Sequence, residues 1–354
     1  MRLWILPGII GIFLCISTIT LSSIMPSLAG RQLVFFLLAL IAFFAVSRVS
    51  FSRLLEYRVP AYSIACLSLL IPFVFSMTTR GTARWIQVAD GIALQPSQFT
   101  FPLISFALIW VMSQGGRDSW KKLMMFFALL LVPTAIIAGQ PDLDTAIVLL
   151  ISLGSLVFFT PTSWKKLAVL TGSIVITAVF AWFFVLQPYQ KDRIFSFIDA
   201  QSGQEQSYNA QQALIAVGSG GVFGVGLGQG TQSHLRFLPE RHTDFIFASL
   251  AEEYGLVGTM LVLSVYVALT TFLVWSARSV QHGNEQLFLL AAAVMFGMQA
   301  SINIGMNVGL LPIAGITLPL LSYGGSAVIG QAVILGIAQS IIRNTQRTSR
   351  RHLA

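Results

Sequence analysis

The chain has 354 residues, of which 55% are hydrophobic and only 10% charged, with 21 basic residues against 13 acids and a formal net charge of +8. Its mean hydropathy is +0.79, whereas a soluble domain carries about 25% charged residues; a water-soluble globular protein is excluded. With two cysteines and neither CxxC nor HExxH spacing, no disulfide framework or dedicated metal motif is present to read.

Hydrophobic runs long enough to cross about 30 Å of hydrocarbon fall near 3–24, 32–47, 61–77, 99–113, 123–138, 143–160, 165–187, 245–275, 286–310 and 318–342. These predict an all-α polytopic membrane protein of about ten spans, or nine because the fourth and fifth runs are short. The first run is too long for a signal-peptide core and lacks a small-residue cleavage site. The expected organisation is one membrane domain over 1–342, with a large extracytoplasmic loop at 188–243 between spans 7 and 8, and a basic cytoplasmic tail at 343–354. With both termini in the cytoplasm, 14 of the 21 basic residues fall on the inner side. The positive charge therefore sets topology by the positive-inside rule and does not point to nucleic acid. The tail, Arg343–Arg351, is suited to anionic membrane lipid. Cys15 and Cys66 lie inside apolar spans and read as buried small hydrophobes.

In chain order, the connection Thr78–Phe99 carries Arg84-Trp85, which is ordinary membrane-edge anchoring unless Arg80 and Arg84 face a phosphate. The short connection GQPDLD (Gly139–Asp144) holds two acids just above a span. One serves as a helix cap, and Asp142 is expected to be the one that lines an outer cavity. The long loop contains a short helix near Ala210–Val217 and then a glycine-rich segment, Gly218–Gly230. It has no nucleotide fingerprint; it reads either as a turn-rich connection or as a backbone cradle for phosphate. Glu252 and Glu253 lie roughly 12–14 Å deeper than Asp244 on a helix, where hydrogen bonding to Asn303 or Asn307 is expected. Gly309–Ser326 forms a Pro- and Gly-rich outer turn, with Ser322 and Tyr323 available as hydrogen-bond donors and Gly324-Gly325 permitting close helix approach.

Glycines, both signs of charge, a histidine and a carboxylate converge in Gly218–Gly258, where Arg236, Glu240, Arg241, His242 and Asp244 precede an apolar helix. An ionisable side chain at that position needs a partner or a function. The combination of GTARWI (Gly81–Ile86), QPS (Gln95–Ser97), QPDL (Gln140–Leu143), YQKDRI (Tyr189–Ile194), GSGGVFGVGLGQGTQ (Gly218–Gln232), FLPERHTDFIFA (Phe237–Ala248), EEYGLVG (Glu252–Gly258) and LLPIAGITLPLLSYGGSA (Leu310–Ala327) resembles the shape, elongation, division and sporulation (SEDS) family of membrane glycosyltransferases. The likeness runs through the whole chain. GQGTQ followed by FLPERHTDF resembles the rod-shape member more than the division member, although GVGLG is at home in the latter.

The resemblance implies polymerisation of lipid II into glycan strands at the outer face of the cytoplasmic membrane, beside a class B penicillin-binding protein. It implies Asp244 as the essential acid, Asp142 as a second important one, and a divalent cation, Mg2+ or Mn2+, which Asp244 would hold if it is not itself the base. Two departures stand out. The acid and lysine common after QPS are Gln98 and Phe101 here, lost together as a replaced ion pair would be. The glycine usual after QPDL is Asp144.

Outer-face chemistry lacks nucleotide-activated sugars, so the donor must arrive as a lipid diphosphate. Transfer then requires a carboxylate base, contributing about 10²–10⁴-fold, and cations, amides or a metal at the leaving group. Candidates for that second role are Arg84, Arg193, Arg236 and Arg241, with Arg193 and Arg241 the preferred pair and His242, Gln232 and Ser322 completing the binding set. At Asp244, desolvation should raise the pKa and Arg241 should lower it. The alternatives are a lipid II flippase or transporter, favoured only by Glu252 and Glu253, and a non-catalytic scaffold for the penicillin-binding protein, which the Gln98 and Phe101 departure keeps open.

Overall fold

The computed structural model describes residues 2–75, 84–89, 92–114, 119–172, 183, 188–198, 205–280 and 282–351. Apolar segments that lose water must satisfy every backbone group internally, which helices do. The elements are α1 (Ile5–Ile24), α2 (Pro26–Ser47), α3 (Phe51–Glu56), α4 (Arg58–Phe75), α5 (Thr100–Ser113), α6 (Trp120–Gly139), α7 (Leu143–Gly154), α8 (Pro188–Ile198), α9 (Glu205–Ser219), α10 (Thr231–His234), α11 (Ile246–Arg278), α12 (Gly283–Asn307) and α13 (Gly325–Arg351). Residues 164–172 are also helical.

Among the described residues, seven helical segments are long and apolar enough to cross a membrane, and the two runs expected to be short are among them. Two shorter apolar helices, Arg58–Val74 and Leu143–Val157, occupy the third and sixth expected spans. Most of the expected seventh span, 165–187, lies outside the described residues, as does Arg80. The tenth span begins later than its apolar run, because 318–324 is a turn. The same helix continues through Arg351 into the expected tail.

The sequence reading contained no strands, yet β1 (Ile86–Ala89) and β2 (Ile92–Leu94) form an antiparallel pair. The signal was legible: IQVADGIAL sets Asp90-Gly91 between β-favouring residues, a hairpin pattern.

Lipid tails are as apolar as leucine, so helix association here rests on close fit. α2 packs along α13 and α11 along α12. Glycines permit the approach: a Cβ at Gly336 would lie 2.8 Å from the Phe43 carbonyl oxygen, and one at Gly330 would lie 2.5 Å from that of Gln98. Gly325 meets the Phe35 ring in the same way, whereas Gly324 touches only Ala327. Phe101, standing in place of the expected lysine, is buried. Its ring joins Phe51, Phe106 and Phe288 in one aromatic cluster, 6.3 Å from Phe288. Position 101 is thus part of the apolar core. Cys66 is half-buried, and Cys15 is exposed on α1 instead of buried; both are free.

Candidate active site

Three acids gather at the mouth of the bundle, and they differ in what they are bonded to. Asp142 caps α7, accepting from the Thr145 amide at 3.4 Å. It also pairs with Arg84 Nη1 at 3.3 Å and accepts from Gln95 Nε2 at 2.8 Å and Ser97 Oγ at 3.4 Å. It is 2% exposed. Burial pushes its carboxyl up, opposed first by Arg84 and then by Thr145. The sequence reading gave one acid of this pair the cap and Asp142 the cavity; the structure gives Asp142 the cap.

Asp144, in the first turn of α7, pairs with Arg193 Nη1 of α8 at 3.1 Å and accepts from the Gly315 amide at 3.0 Å. Asp244 faces the same glycine: a Cβ at Gly315 would lie 3.0 Å from Asp144 Oδ2 and 3.8 Å from Asp244 Oδ2.

The backbone of Asp244 is fixed while its carboxylate is not. Its carbonyl accepts from Asn303 Nδ2 at 2.9 Å and Asn307 Nδ2 at 3.1 Å. These two residues stand one turn apart on α12, on one face. Asn307 Oδ1 in turn accepts from the Ala248 amide, one of the donors a helix start leaves unpaired. The residue before Asp244 is held as well, because Ser322 Oγ donates to the Thr243 carbonyl at 2.7 Å. Among the described residues, no hydrogen bond reaches the Asp244 carboxylate. Burial pushes it up to about 7; Glu240 and Asp144 add to the rise, and Arg84 and Arg193 oppose it.

Glu252 and Glu253 are held by the end of the glycine-rich segment and the short helix that follows it. Glu252 accepts from the amides of Gln232 at 2.8 Å and Ser233 at 3.0 Å and from Ser233 Oγ at 2.6 Å. Glu253 accepts from the Gly228 amide at 3.2 Å, from Ser23 Oγ and from His234 Nε2. Asn303 and Asn307, their expected partners, serve Asp244 instead. α11 breaks at Gly255 (φ 65, ψ −161), and the opened backbone pairs with the loop. Val225 and Gly226 donate to the Glu252 and Glu253 carbonyls, while Leu256 and Val257 donate to those of Gly221 and Val222. A Cβ at Gly255 would lie 2.3 Å from the Gly224 nitrogen, so the crossing requires glycine.

Residues 1–347 match the family described as cell cycle protein, comprising FtsW, RodA and SpoVE. The chain belongs to this family. It is 36% identical over 301 residues to the peptidoglycan glycosyltransferase MrdB of Escherichia coli K12, covering 82% of this chain and 79% of that one. It is 32% identical over 330 residues to the probable peptidoglycan glycosyltransferase FtsW of Coxiella burnetii, covering 89% and 86%. In three dimensions it resembles a chain from a peptidoglycan synthase complex described as coordinating polymerization and crosslinking, at a TM-score of 0.84 and 27% identity over 97% of this chain and 98% of that one. Rod shape determining protein RodA of Thermus thermophilus superposes at a TM-score of 0.73 and 26% identity, over 96% of each chain.

As a multi-pass membrane protein of the FtsW/RodA family, the chain brings some expected site residues together and leaves others apart. Arg84 and Arg193 act on Asp244. Arg241, the expected modulator, reaches the Ile24 carbonyl with Nε at 3.5 Å and has Arg236 as its charged neighbour, so the preferred pair Arg193 and Arg241 serves two different places. Arg236 is exposed, with left-handed backbone (φ 64). His242 packs its ring against Tyr323 and accepts from the Tyr323 amide. Gln232 is drawn into the Glu252 clasp. Ser322, expected to face ligand, both donates to Thr243 and accepts from the Leu318 amide; its hydroxyl is used within the protein. Asn303 and Asn307 were missed as supports of Asp244, since nothing in the sequence says which end of α11 they face.

Proposed function

We propose that this chain is a peptidoglycan glycosyltransferase that polymerises lipid II at the outer face of the cytoplasmic membrane during cell elongation, beside a class B penicillin-binding protein. The observation that carries the reading is the contrast among the three acids. Asp142 and Asp144 are bonded to protein groups, whereas Asp244 is held by its backbone and offers a carboxylate with a pKa near working pH, as a general base requires. The relatives' names and the peptidoglycan synthase complex support the activity and the partner class, and the basic bias of one set of connections supports cytoplasmic termini.

In the reaction, the acceptor 4-hydroxyl oxygen attacks the anomeric carbon of the donor sugar and its proton passes to Asp244. The bond from that carbon to the diphosphate oxygen breaks, and the leaving charge develops beside Arg84 and Arg193, both of which are partly exposed. Among the described residues, no three acidic, histidine or cysteine side chains gather as a metal cage. A single unbonded carboxylate fits an ion of the Mg2+ kind, which binds through one or two carboxylates and substrate phosphates. In the alternative in which Asp244 holds Mg2+ or Mn2+ instead of acting as the base, the ion would supply charge neutralisation at the diphosphate.

Transport loses its support, because Glu252 and Glu253 are accounted for by the loop they clasp. The test uses the purified chain, labelled lipid II and Mg2+ or Mn2+. The parent is expected to give a ladder of glycan products, and Asp244→Ala to slow it by about 10²–10⁴-fold. An Asp244→Ala protein as fast as the parent removes the catalytic assignment.

A further inference from the structure

Two Arg–Asp pairs flank Asp244, and only one of them can open without exposing a buried charge. In the Arg84–Asp142 pair the acid is 2% exposed and locked by Gln95, Ser97 and Thr145. Withdrawing Arg84 would strand a buried carboxylate, which is strongly destabilising. In the Arg193–Asp144 pair both side chains reach solvent, at 33% and 16% exposure. Asp144 also has an anchor independent of Arg193, the Gly315 amide at 3.0 Å. Arg193 can therefore leave without releasing Asp144, and it sits on α8, inside the long loop and away from the bundle core.

We propose that Asp144 is a resident anion that occupies Arg193 in the empty protein and yields it to the diphosphate of an incoming polyprenyl-linked substrate. The inference rests on the glycosyltransferase reading for the identity of the substrate. A guanidinium donates to carboxylate and phosphate oxygens alike, and here one donor, Arg193 Nη1, spans both Asp144 oxygens at 3.4 and 3.1 Å, a place that a diphosphate oxygen can take. Asp144 keeps Arg193 beside Asp244 between turnovers, and it retakes the cation as the polyprenyl diphosphate departs. It is a positioning residue, acting through Arg193. Its carboxylate competes with substrate, so removing it tightens diphosphate binding.

The test measures binding of undecaprenyl diphosphate and undecaprenyl phosphate to the full chain in detergent with EDTA present. The proteins are the parent, Asp144→Asn, Asp144→Gly, Arg193→Gln and the Asp144→Asn/Arg193→Gln double variant. Both Asp144 variants are expected to bind the diphosphate roughly two- to fivefold tighter, the range of a partly exposed ion pair. The gain for the monophosphate is expected to be smaller, and the gain for the diphosphate to vanish in the double variant. In polymerisation the change falls on KM and on inhibition by undecaprenyl diphosphate, not on a higher kcat. Unchanged or weaker diphosphate binding in both single variants overturns the proposal, as does a gain that survives loss of Arg193. If the parent makes no glycan ladder, the glycosyltransferase reading fails while the binding comparison still decides the exchange.

Discussion

Asp244→Asn is expected to abolish polymerisation and, in the same protein, to raise thermal stability by an amount that grows with pH. In the fold the carboxyl is pushed from 3.8 up to about 7, so at high pH its ionised form costs roughly 4 kcal/mol at about 1.4 kcal/mol per unit. The folded chain thus holds a proton that the unfolded chain has already released between the two values. Stability attributable to this group is intact below about pH 4, falls by about 1.4 kcal/mol per unit, and levels off above about pH 7, where both states are ionised. Asparagine removes the titration. Its advantage over aspartate is near zero at pH 4, about 2 kcal/mol at pH 5.5, and about 2–4 kcal/mol at pH 8 once the open part of the Asp244 surface is discounted.

The measurement is thermal unfolding of parent and variant in one detergent at one scan rate, from pH 5 to 8.5, with lipid II polymerisation assayed alongside. In the parent, activity is expected to fall tenfold per unit on the acid side of about pH 7, as the base is protonated. A stability difference that is constant with pH, or a variant less stable than the parent at pH 8, refutes the claim that burial and neighbouring acids hold this carboxyl up.

Asp142→Ala is expected to lose about 2–4 kcal/mol in thermal or denaturant unfolding, since it uncaps α7 and leaves Arg84 without its carboxylate; a loss below about 0.5 kcal/mol would show the pair to be ornamental. Gly255→Ala places a carbon 2.3 Å from the Gly224 nitrogen at a φ of 65°, and is expected either to fail to accumulate or to lose at least about 3 kcal/mol, read as expression and melting temperature. Glu252→Gln keeps the shape but weakens two amide bonds and the Ser233 hydroxyl bond, and is expected to cost about 1–3 kcal/mol. It should also slow polymerisation, because the clasped loop leads directly into the segment that carries Asp244.

Span positions were legible because hydrophobic runs of membrane length have few alternative readings, and α1, α2, α6, α11 and α12 fall where those runs lie. Asp244 stood out because an acid at the start of an apolar helix is rare enough to demand an account. What could not be read were pairings between distant segments. Asp142 and Asp144 are two residues apart on one short connection, and both capping and cavity-lining suited either of them; the choice is made by Gln95 and Ser97, 47 and 45 residues away. For the glycine-rich loop the sequence left a turn-rich connection and a phosphate cradle open. The structure shows positive φ at Gly221, Gly224, Gly226 and Gly228 and an amide, Gly228, that bonds Glu253, a partner 25 residues away that local sequence does not reveal. Arg241 illustrates the opposite error. It is three residues from Asp244 in the chain, yet its guanidinium turns to the Ile24 carbonyl, and the cations that act on the acid come from positions 84 and 193.

The arrangement at Asp244 follows from a conflict between folding and chemistry. A buried carboxylate is cheapest when donors surround it, and both neighbouring acids take that course. Asp244 could have been treated likewise by the Asn303 and Asn307 amides, which lie close enough to bond its residue. They bond its carbonyl instead. The effect is to fix where the side chain starts while leaving its oxygens for a ligand, and the fold bears the resulting cost in stability. Such an uncompensated acid persists only when its surroundings over-determine the backbone. Here they do: Asn303 and Asn307 hold Asp244 itself, Ser322 holds Thr243, the Tyr323 amide holds His242, and Ser249 Oγ reaches the Arg241 carbonyl at 3.3 Å. Four consecutive carbonyls are thus bonded by two neighbouring helices and a turn. It is this row of backbone anchors that makes a base of a carboxylate the protein otherwise leaves alone.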